Sequence, residues 1–314
     1  MSEATSPDGR RLRTLRVSVT GRCDLDCLYC DAGMTASVEE ELTVQEVGLL
    51  AAAAWEAGVQ TIRLTGGEPM MRSDLPDLVR AASSAPGARD VAMTTNAQRL
   101  ASAAAHLRAC GLRRVNIGLP SLRADTYRRM TGGDLAPALD GVDAALDAGL
   151  SPVKINVVLS RGENGDEIGD FVAFARRRPV EVRFIELMPF GGQDGMMPAR
   201  AVRAAIAEIL GGIDEADARA SSTAETFRPA GFEGRLGTIA PVTEPFCSRC
   251  DRLRVTSGGK LRACLSEAVE TDIAPALRRG AGTAEIVRLL GESFRSKPRA
   301  HSASFCGPMR QIGG

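Results

Sequence analysis

Three times along this chain a helix-like stretch stops at a glycine and an apolar, strand-like run begins at once: "AGVQTIRL", "CGLRRVNIG" and "AGLSPVKINVV". Glycine adopts the left-handed backbone that closes a helix, so each of these marks the return from a helix to a strand. Strand-like runs lie at Leu15–Val19, Val59–Thr65, Asp90–Thr94, Arg113–Ile117, Val153–Val158 and Val180–Glu186, with helical stretches between them. The first helix opens at Thr43 with Glu46 three residues on, a capping box, and stops at Gly58. Strands that alternate with helices across short connections pair in parallel, so the expected fold is α/β, a parallel sheet wrapped by helices. A closed eight-unit barrel needs ~250 residues. Six units ending near Glu186 predict a partial, open (β/α)6 barrel of TIM-like type instead.

Beyond Phe190 the rhythm breaks, which divides the chain into a barrel core at 1–190 and a C-terminal segment at 191–314. The second part is expected to hold a helix near Pro198–Leu210, with the proline in its first turn. A polar stretch from Asp214 to Glu225 follows, then a cysteine-bearing region, a final helical region and an extended tail, "MRQIGG".

In such a sheet the chemistry belongs at the C-terminal strand ends. The motifs "CDLDCLYC", "TGGEP", "TTN" and Met188 all fall at or just after strand ends. They are expected to meet at one mouth.

Formal charge is balanced, with 39 basic and 39 acidic residues among 314, which argues against a general nucleic-acid or membrane partner. Met1 to Arg13 is polar and resembles neither a signal peptide nor a membrane anchor, so a cytoplasmic location is expected. A reducing compartment disfavours disulfides. Six of the eight cysteines fall into two tight groups, Cys23/Cys27/Cys30 and Cys247/Cys250/Cys264, a pattern of metal ligation, whereas Cys110 and Cys306 stand alone.

The first group has the spacing C-x3-C-x2-C. Three thiolates on one loop can hold three corners of a four-iron, four-sulfur cluster and leave the fourth iron open to a substrate. S-adenosylmethionine can chelate such an iron through its amino and carboxylate groups. The alternative is a zinc site or unrelated buried thiols, but zinc commonly takes four ligands in paired C-x2-C knuckles. The following "LTGGEP" adds glycines that let backbone approach a ligand, Gly66 and Gly67, and a carboxylate for an ammonium group, Glu68.

These residues resemble the radical S-adenosylmethionine superfamily and, within it, the GTP 3′,8-cyclase family of molybdenum cofactor biosynthesis. The resemblance spans nearly the whole chain: "LRVSVTGRCDLDCLYC", "IRLTGGEPMMRSDL", "VKINVVLSRGENGDEI", "VRFIELMPF", "GTIAPVTEPFCSRCDRLRVTSGGKLRACL" and the terminal "IGG". It implies a radical S-adenosylmethionine barrel with a C-terminal iron–sulfur extension. It implies two [4Fe-4S] clusters, the second on Cys247, Cys250 and Cys264 with an open iron that binds guanine. It assigns S-adenosylmethionine to Tyr29, Gly66, Gly67, Glu68 and Met188. It assigns GTP to Arg16, Arg63, Thr94, Lys154, Arg252 and Arg254, with Arg183 a further basic candidate. Arg252, Arg254, Gly313 and Gly314 are the residues it implies in catalysis.

Four of those cations, Arg16, Arg63, Lys154 and Arg183, lie on or beside strand-like runs. A charge there is costly unless it faces the barrel interior and meets an anion, which independently suggests an anionic substrate. The plainer alternative is a stem packed on the surface with its head in water. The resemblance also implies a reducing electron donor and a downstream cyclic pyranopterin monophosphate synthase. A homodimer is a further expectation.

The sequence departs from the family pattern at three places. "SLDSL" after the fourth strand reads "GLPSL", placing Gly118 where a serine would contact S-adenosylmethionine and Pro120 where an aspartate stands. "TTNG" reads "TTNA", with Ala97. A basic residue before "IR" is replaced by Gln60 and Thr61. These departures leave open a paralogous radical enzyme acting on another nucleotide or a peptide. A non-enzymatic iron–sulfur or zinc scaffold is a third reading, disfavoured because "TGGEP" has no purpose in one. His106 and His301 are the only histidines; His106 sits in a helical stretch and reads as structural.

Overall fold

A computed structural model of the chain describes residues 4–30, 40–189, 195–212, 219–220 and 223–301. The six expected strands are present: β1 Thr14–Ser18, β2 Thr61–Thr65, β3 Asp90–Thr95, β4 Arg114–Gly118, β5 Val153–Leu159 and β6 Val180–Glu186. They pair in sequence order and all in parallel. The helices between them are α1 Val44–Glu56, α2 Leu75–Ser84, α3 Ala104–Ala109, α4 Ala124–Thr131, α5 Leu135–Asp147 and α6 Ile168–Arg177. The capping box forms as the sequence indicates. Thr43 Oγ1 accepts from the Glu46 amide at 3.2 Å, and Glu46 accepts from the Thr43 amide at 2.8 Å.

After β6 come α7 Ala199–Leu210, β7 Arg219–Ala220, β8 Glu225–Phe227, β9 Arg235–Ile239, β10 Arg252–Val255, β11 Lys260–Arg262, β12 Thr271–Asp272, α8 Ala274–Arg278 and α9 Thr283–Arg295. Pro198 is the N-cap of α7 rather than a first-turn residue. The later strands join the barrel sheet at both edges. β10 pairs in parallel with β1, and β9 pairs in parallel with β6. The result is one open twelve-strand sheet in the order β12-β11-β10-β1-β2-β3-β4-β5-β6-β9-β8-β7, antiparallel only at its two ends.

Period-two alternation explains which face of each strand meets what. One set of side chains is apolar and packs against the helices: Leu15 and Val17, Ile62 and Leu64, Val91 and Met93, Val115 and Ile117, Val153 and Ile155, Val182 and Phe184, all at most 2 % exposed. Each such side chain stabilises by ~1.5–3 kcal/mol relative to exposure. The alternate set is polar: Arg16, Arg63, Thr94, Asn116, Asn156, Arg183 and Arg254 line the concave side. A sheet with one oily face and one polar face curls around a polar interior, and that interior is the site.

Candidate active site

One cavity of about 330 Å³ lies on the concave side of the sheet. Both cysteine groups line it. Cys23, Cys27 and Cys30 follow β1, and none of them is in a disulfide. Their loop is held by backbone bonds from the Asp26 amide to the Thr131 carbonyl and from the Leu28 amide to the Met130 carbonyl, both 2.9 Å, at the end of α4. Cys247 opens a 3-10 turn, Cys250 closes it, and Cys264 follows β11.

Among the described residues no three His, Cys, Asp or Glu side chains are close enough to hold a single metal ion. A four-iron cluster takes one thiolate per iron, so its ligands are spread rather than convergent. The donor set of three thiols per group fits such a cluster. Burial pushes the Cys250 thiol up, but Arg252 and Lys297 outweigh it and bring its pKa to about 6, toward the thiolate a metal requires.

The glycine loop after β2 lies directly against the first cysteine loop. The Gly67 amide donates to the Thr20 carbonyl at 2.8 Å and the Glu68 amide to the Arg22 carbonyl at 2.7 Å. Gly66 has φ +151°, and a Cβ there would fall 2.4 Å from the Thr20 carbonyl oxygen. Only glycine fits. Glu68 is 1 % exposed and accepts from Thr95 Oγ1 at 2.8 Å, the Asn96 amide at 2.6 Å and the Met70 amide at 3.0 Å. Burial pushes its pKa up to about 7 against those donors. The sequence suggested a carboxylate waiting for an ammonium; the structure shows one that already ties the β2 loop to the β3 loop. Asn96 Nδ2 continues this chain to Asp24 Oδ1 at 2.7 Å, within the cysteine loop.

Arginines form a row across three strands. Arg16 on β1 stands beside Arg254 on β10 and Arg63 on β2. Like charges side by side in a sheet repel. Arg16 and Arg254 are each 7 % exposed and Arg183 6 %. Burial lowers Arg63 and Arg254 to about 9, with neighbouring arginines adding to the shift, and drives Arg16 down as well. Arg183 has Glu181 at 2.5 Å as its counter-ion. Such a cationic interior suits an anion.

Among the described residues, the buried atoms without a hydrogen-bond partner include Arg63 Nε, Thr94 Oγ1, Asn116 Oδ1 and Asn156 Oδ1, all on cavity-lining residues. Donors and acceptors left open together fit a ligand bearing both, such as a nucleoside. Asn116 and Asn156 were missed by the sequence reading. Their signal was a polar residue at the inward position of an otherwise apolar strand, "VNIG" and "VKINVV".

Tyr29, Gly66, Gly67, Glu68, Met188, Arg16, Arg63, Thr94, Arg183, Arg252, Arg254 and the six cysteines all line the one cavity. Lys154 is not among the lining residues; it lies two residues before Asn156 on β5, close enough to Arg183 and Arg63 to feel their charge. Burial, then Arg183, lowers its pKa to about 7. Gly313, Gly314 and Cys306 lie outside the described residues. Gly118 also lines the cavity, and a Cβ there would meet nothing nearer than the Thr95 carbonyl oxygen at 4.0 Å. Ala97 has φ +64°, the one non-glycine among the described residues with positive φ, so the turn is retained at a conformational cost. Cys110 is buried beside Arg80 and His106, away from the cavity.

The family model "Radical SAM superfamily" matches residues 17–175 and "Molybdenum Cofactor Synthesis C" matches 180–303. The chain is 44% identical over 302 residues to the GTP 3′,8-cyclase of Pelotomaculum thermopropionicum, covering 93% of each. It is 40% identical over 300 residues to that of Moorella thermoacetica, again covering 93% of each. Among solved structures, Streptococcus suis SuiB bound to S-adenosylmethionine superposes with a TM-score of 0.67 at 13% identity, over 91% of this chain and 69% of that one. At that identity the likeness shows the fold alone.

Proposed function

This chain belongs to the GTP 3′,8-cyclase family of the radical S-adenosylmethionine superfamily, and on that premise we propose how its own residues carry out the cyclisation of GTP to 3′,8-cyclo-7,8-dihydroguanosine 5′-triphosphate. The observation that carries the proposal is the row Arg254–Arg16–Arg63, its first two members buried, facing the same cavity as two groups of three cysteines.

Cys23, Cys27 and Cys30 hold one [4Fe-4S] cluster, and Cys247, Cys250 and Cys264 hold the other. When bound, the first cluster with S-adenosylmethionine supplies the one-electron cleavage whose product removes hydrogen from C3′ of GTP. Tyr29, Gly66, Gly67, Glu68 and Met188 position S-adenosylmethionine. Arg16, Arg63, Arg183 and Lys154 take the triphosphate; arginine forks suit phosphate oxygens. Thr94 Oγ1, Asn116 and Asn156 offer their open atoms to ribose and base. Arg252 and Arg254 hold the guanine near the second cysteine group, so that C8 is fixed beside C3′ when the new carbon–carbon bond forms.

In this reading residues 1–190 provide the S-adenosylmethionine chemistry and residues 191–314 the guanine end of the site, with Gly313 and Gly314 assigned a part in catalysis. The enzyme works in the cytoplasm, takes electrons from a reducing donor and passes its product to a cyclic pyranopterin monophosphate synthase. A homodimer is part of the same proposal. Among the described residues no helix is long and apolar enough to cross a membrane.

The test is anaerobic reconstitution with iron and sulfide, then reduction with S-adenosylmethionine and GTP. Mass spectrometry should find 5′-deoxyadenosine together with a cyclised nucleotide. Deoxyadenosine without a GTP-dependent product would move the substrate assignment elsewhere, toward another nucleotide or a peptide.

A further inference from the structure

Two buried cations from opposite ends of the chain meet behind the second cysteine group. Arg10, 7 % exposed, donates from Nη1 to the Cys247 carbonyl at 2.9 Å. Its Nη2 donates to the Lys297 and Pro298 carbonyls at 3.2 and 3.1 Å, and Asp8 Oδ1 accepts from Nε at 2.9 Å. Lys297 is also 7 % exposed and lines the cavity. Its ammonium donates to the Arg252 carbonyl at 2.8 Å and to the Ala263 carbonyl. It lies 5.8 Å from the Phe294 ring centroid.

Those contacts touch all three cysteine segments. Cys247 is held through its own carbonyl, Cys250 through the strand two residues on, and Cys264 through the residue before it. Carbonyl oxygens accept and cannot donate, so two of them on one nitrogen favour the ammonium form. A buried lysine rarely persists without such partners. Nothing in the resemblance assigned Arg10 or Lys297, and the substrate-facing arginines do not explain two cations aimed at cysteine backbone.

We propose that Lys297 is a positioning residue for the second cluster: it joins the Cys250 and Cys264 segments through the Arg252 and Ala263 carbonyls and sets a fixed positive charge beside their thiolates. This rests on reading Cys247, Cys250 and Cys264 as cluster ligands. Reduction adds negative charge to a cluster, and a nearby cation stabilises the reduced form. The charge therefore raises the cluster's reduction potential. Arg10 backs the arrangement by tying the Lys297 backbone to Cys247.

The experiment uses the full chain with Cys23, Cys27 and Cys30 replaced by alanine, so that only the second cluster forms. Its midpoint potential is read by an EPR-monitored redox titration for the parent, Lys297→Gln and Lys297→Arg. Glutamine keeps N–H donors for the carbonyls without the charge; arginine keeps the charge. Lys297→Gln should hold iron and shift to a more negative potential, with Lys297→Arg close to the parent. An unchanged potential in Lys297→Gln overturns the proposal, as does loss of the cluster in both variants. Should the parent itself bind no iron at the second group, the ligand assignment fails, and that result is distinct from a failure of Lys297.

Discussion

Gly67 passes Arg22 so closely that a Cβ built on Gly67 would lie 2.1 Å from the Arg22 carbonyl oxygen. The clash is with backbone, so no rotamer relieves it. The β2 loop and the first cysteine loop are thereby locked at a separation only glycine permits. Gly67→Ala should leave the far-UV spectrum intact and weaken S-adenosylmethionine binding at least about tenfold, ~1.4 kcal/mol, in the reconstituted protein by equilibrium dialysis. Binding at the parent affinity would show that the two loops can separate without cost.

Glu68 makes ligand-free stability depend on pH. Its pKa rises from 4.5 to about 7, so between those values the folded chain keeps a proton the unfolded chain has lost. The stabilisation is complete below pH 4.5 and disappears as pH climbs through 7, a loss of ~3 kcal/mol for a shift of this size. Melting temperature of the apo protein should fall between pH 5 and 8, and Glu68→Gln should flatten that decline. An identical slope in the variant would remove Glu68 as its source.

Lys154 is lowered from 10.5 to about 7, chiefly by burial. An anion bound nearby restores the ammonium, so binding takes up a proton. Affinity for tripolyphosphate, followed by calorimetry, should weaken as pH rises from ~6.5 to ~8.5 through that pKa. Lys154→Arg stays charged and should lose this dependence. Equal pH profiles for parent and variant would place Lys154 outside the phosphate subsite.

Gly118→Ser adds a side chain where the first atom met is 4.0 Å away. Stability should stay within ~0.5 kcal/mol of the parent. A hydroxyl facing the cavity offers one further hydrogen bond, ~0.5–1.5 kcal/mol, so S-adenosylmethionine should bind up to about tenfold tighter. Unchanged affinity on dialysis would mean that a hydroxyl at this position meets no part of the ligand.

The strands of the six βα units were legible to within two residues because each carries its own alternation and is bracketed by glycine or a helix cap. Both cysteine groups were equally plain. β9 and β10 were not. "RLGTI" and "RLRV" are short, and their parallel pairing with β6 and β1 depends on partners distant in sequence. Arg252 and Arg254 were therefore assigned to the site only through the family resemblance, and their place in the barrel wall was not legible. Lys154 looked equivalent to Arg183 by strand position, but it is Asn156, not Lys154, that pairs with Arg183 and lines the cavity. Lys297 and Arg10 carried no local signal at all, since both act through carbonyls of remote segments.

β1 illustrates what the two-edged sheet demands of a chain leaving the ribosome. Its outer edge is sealed only by β10, and the Arg10–Cys247 contact spans 237 residues. The strand must wait for almost the whole polypeptide with one row of amides unpaired, the condition under which nascent sheets stick to one another. The first cysteine group is complete long before the second has been translated. Iron delivered during synthesis would meet Cys23, Cys27 and Cys30 on a half-walled barrel, open on the side that Arg252 and Arg254 later close.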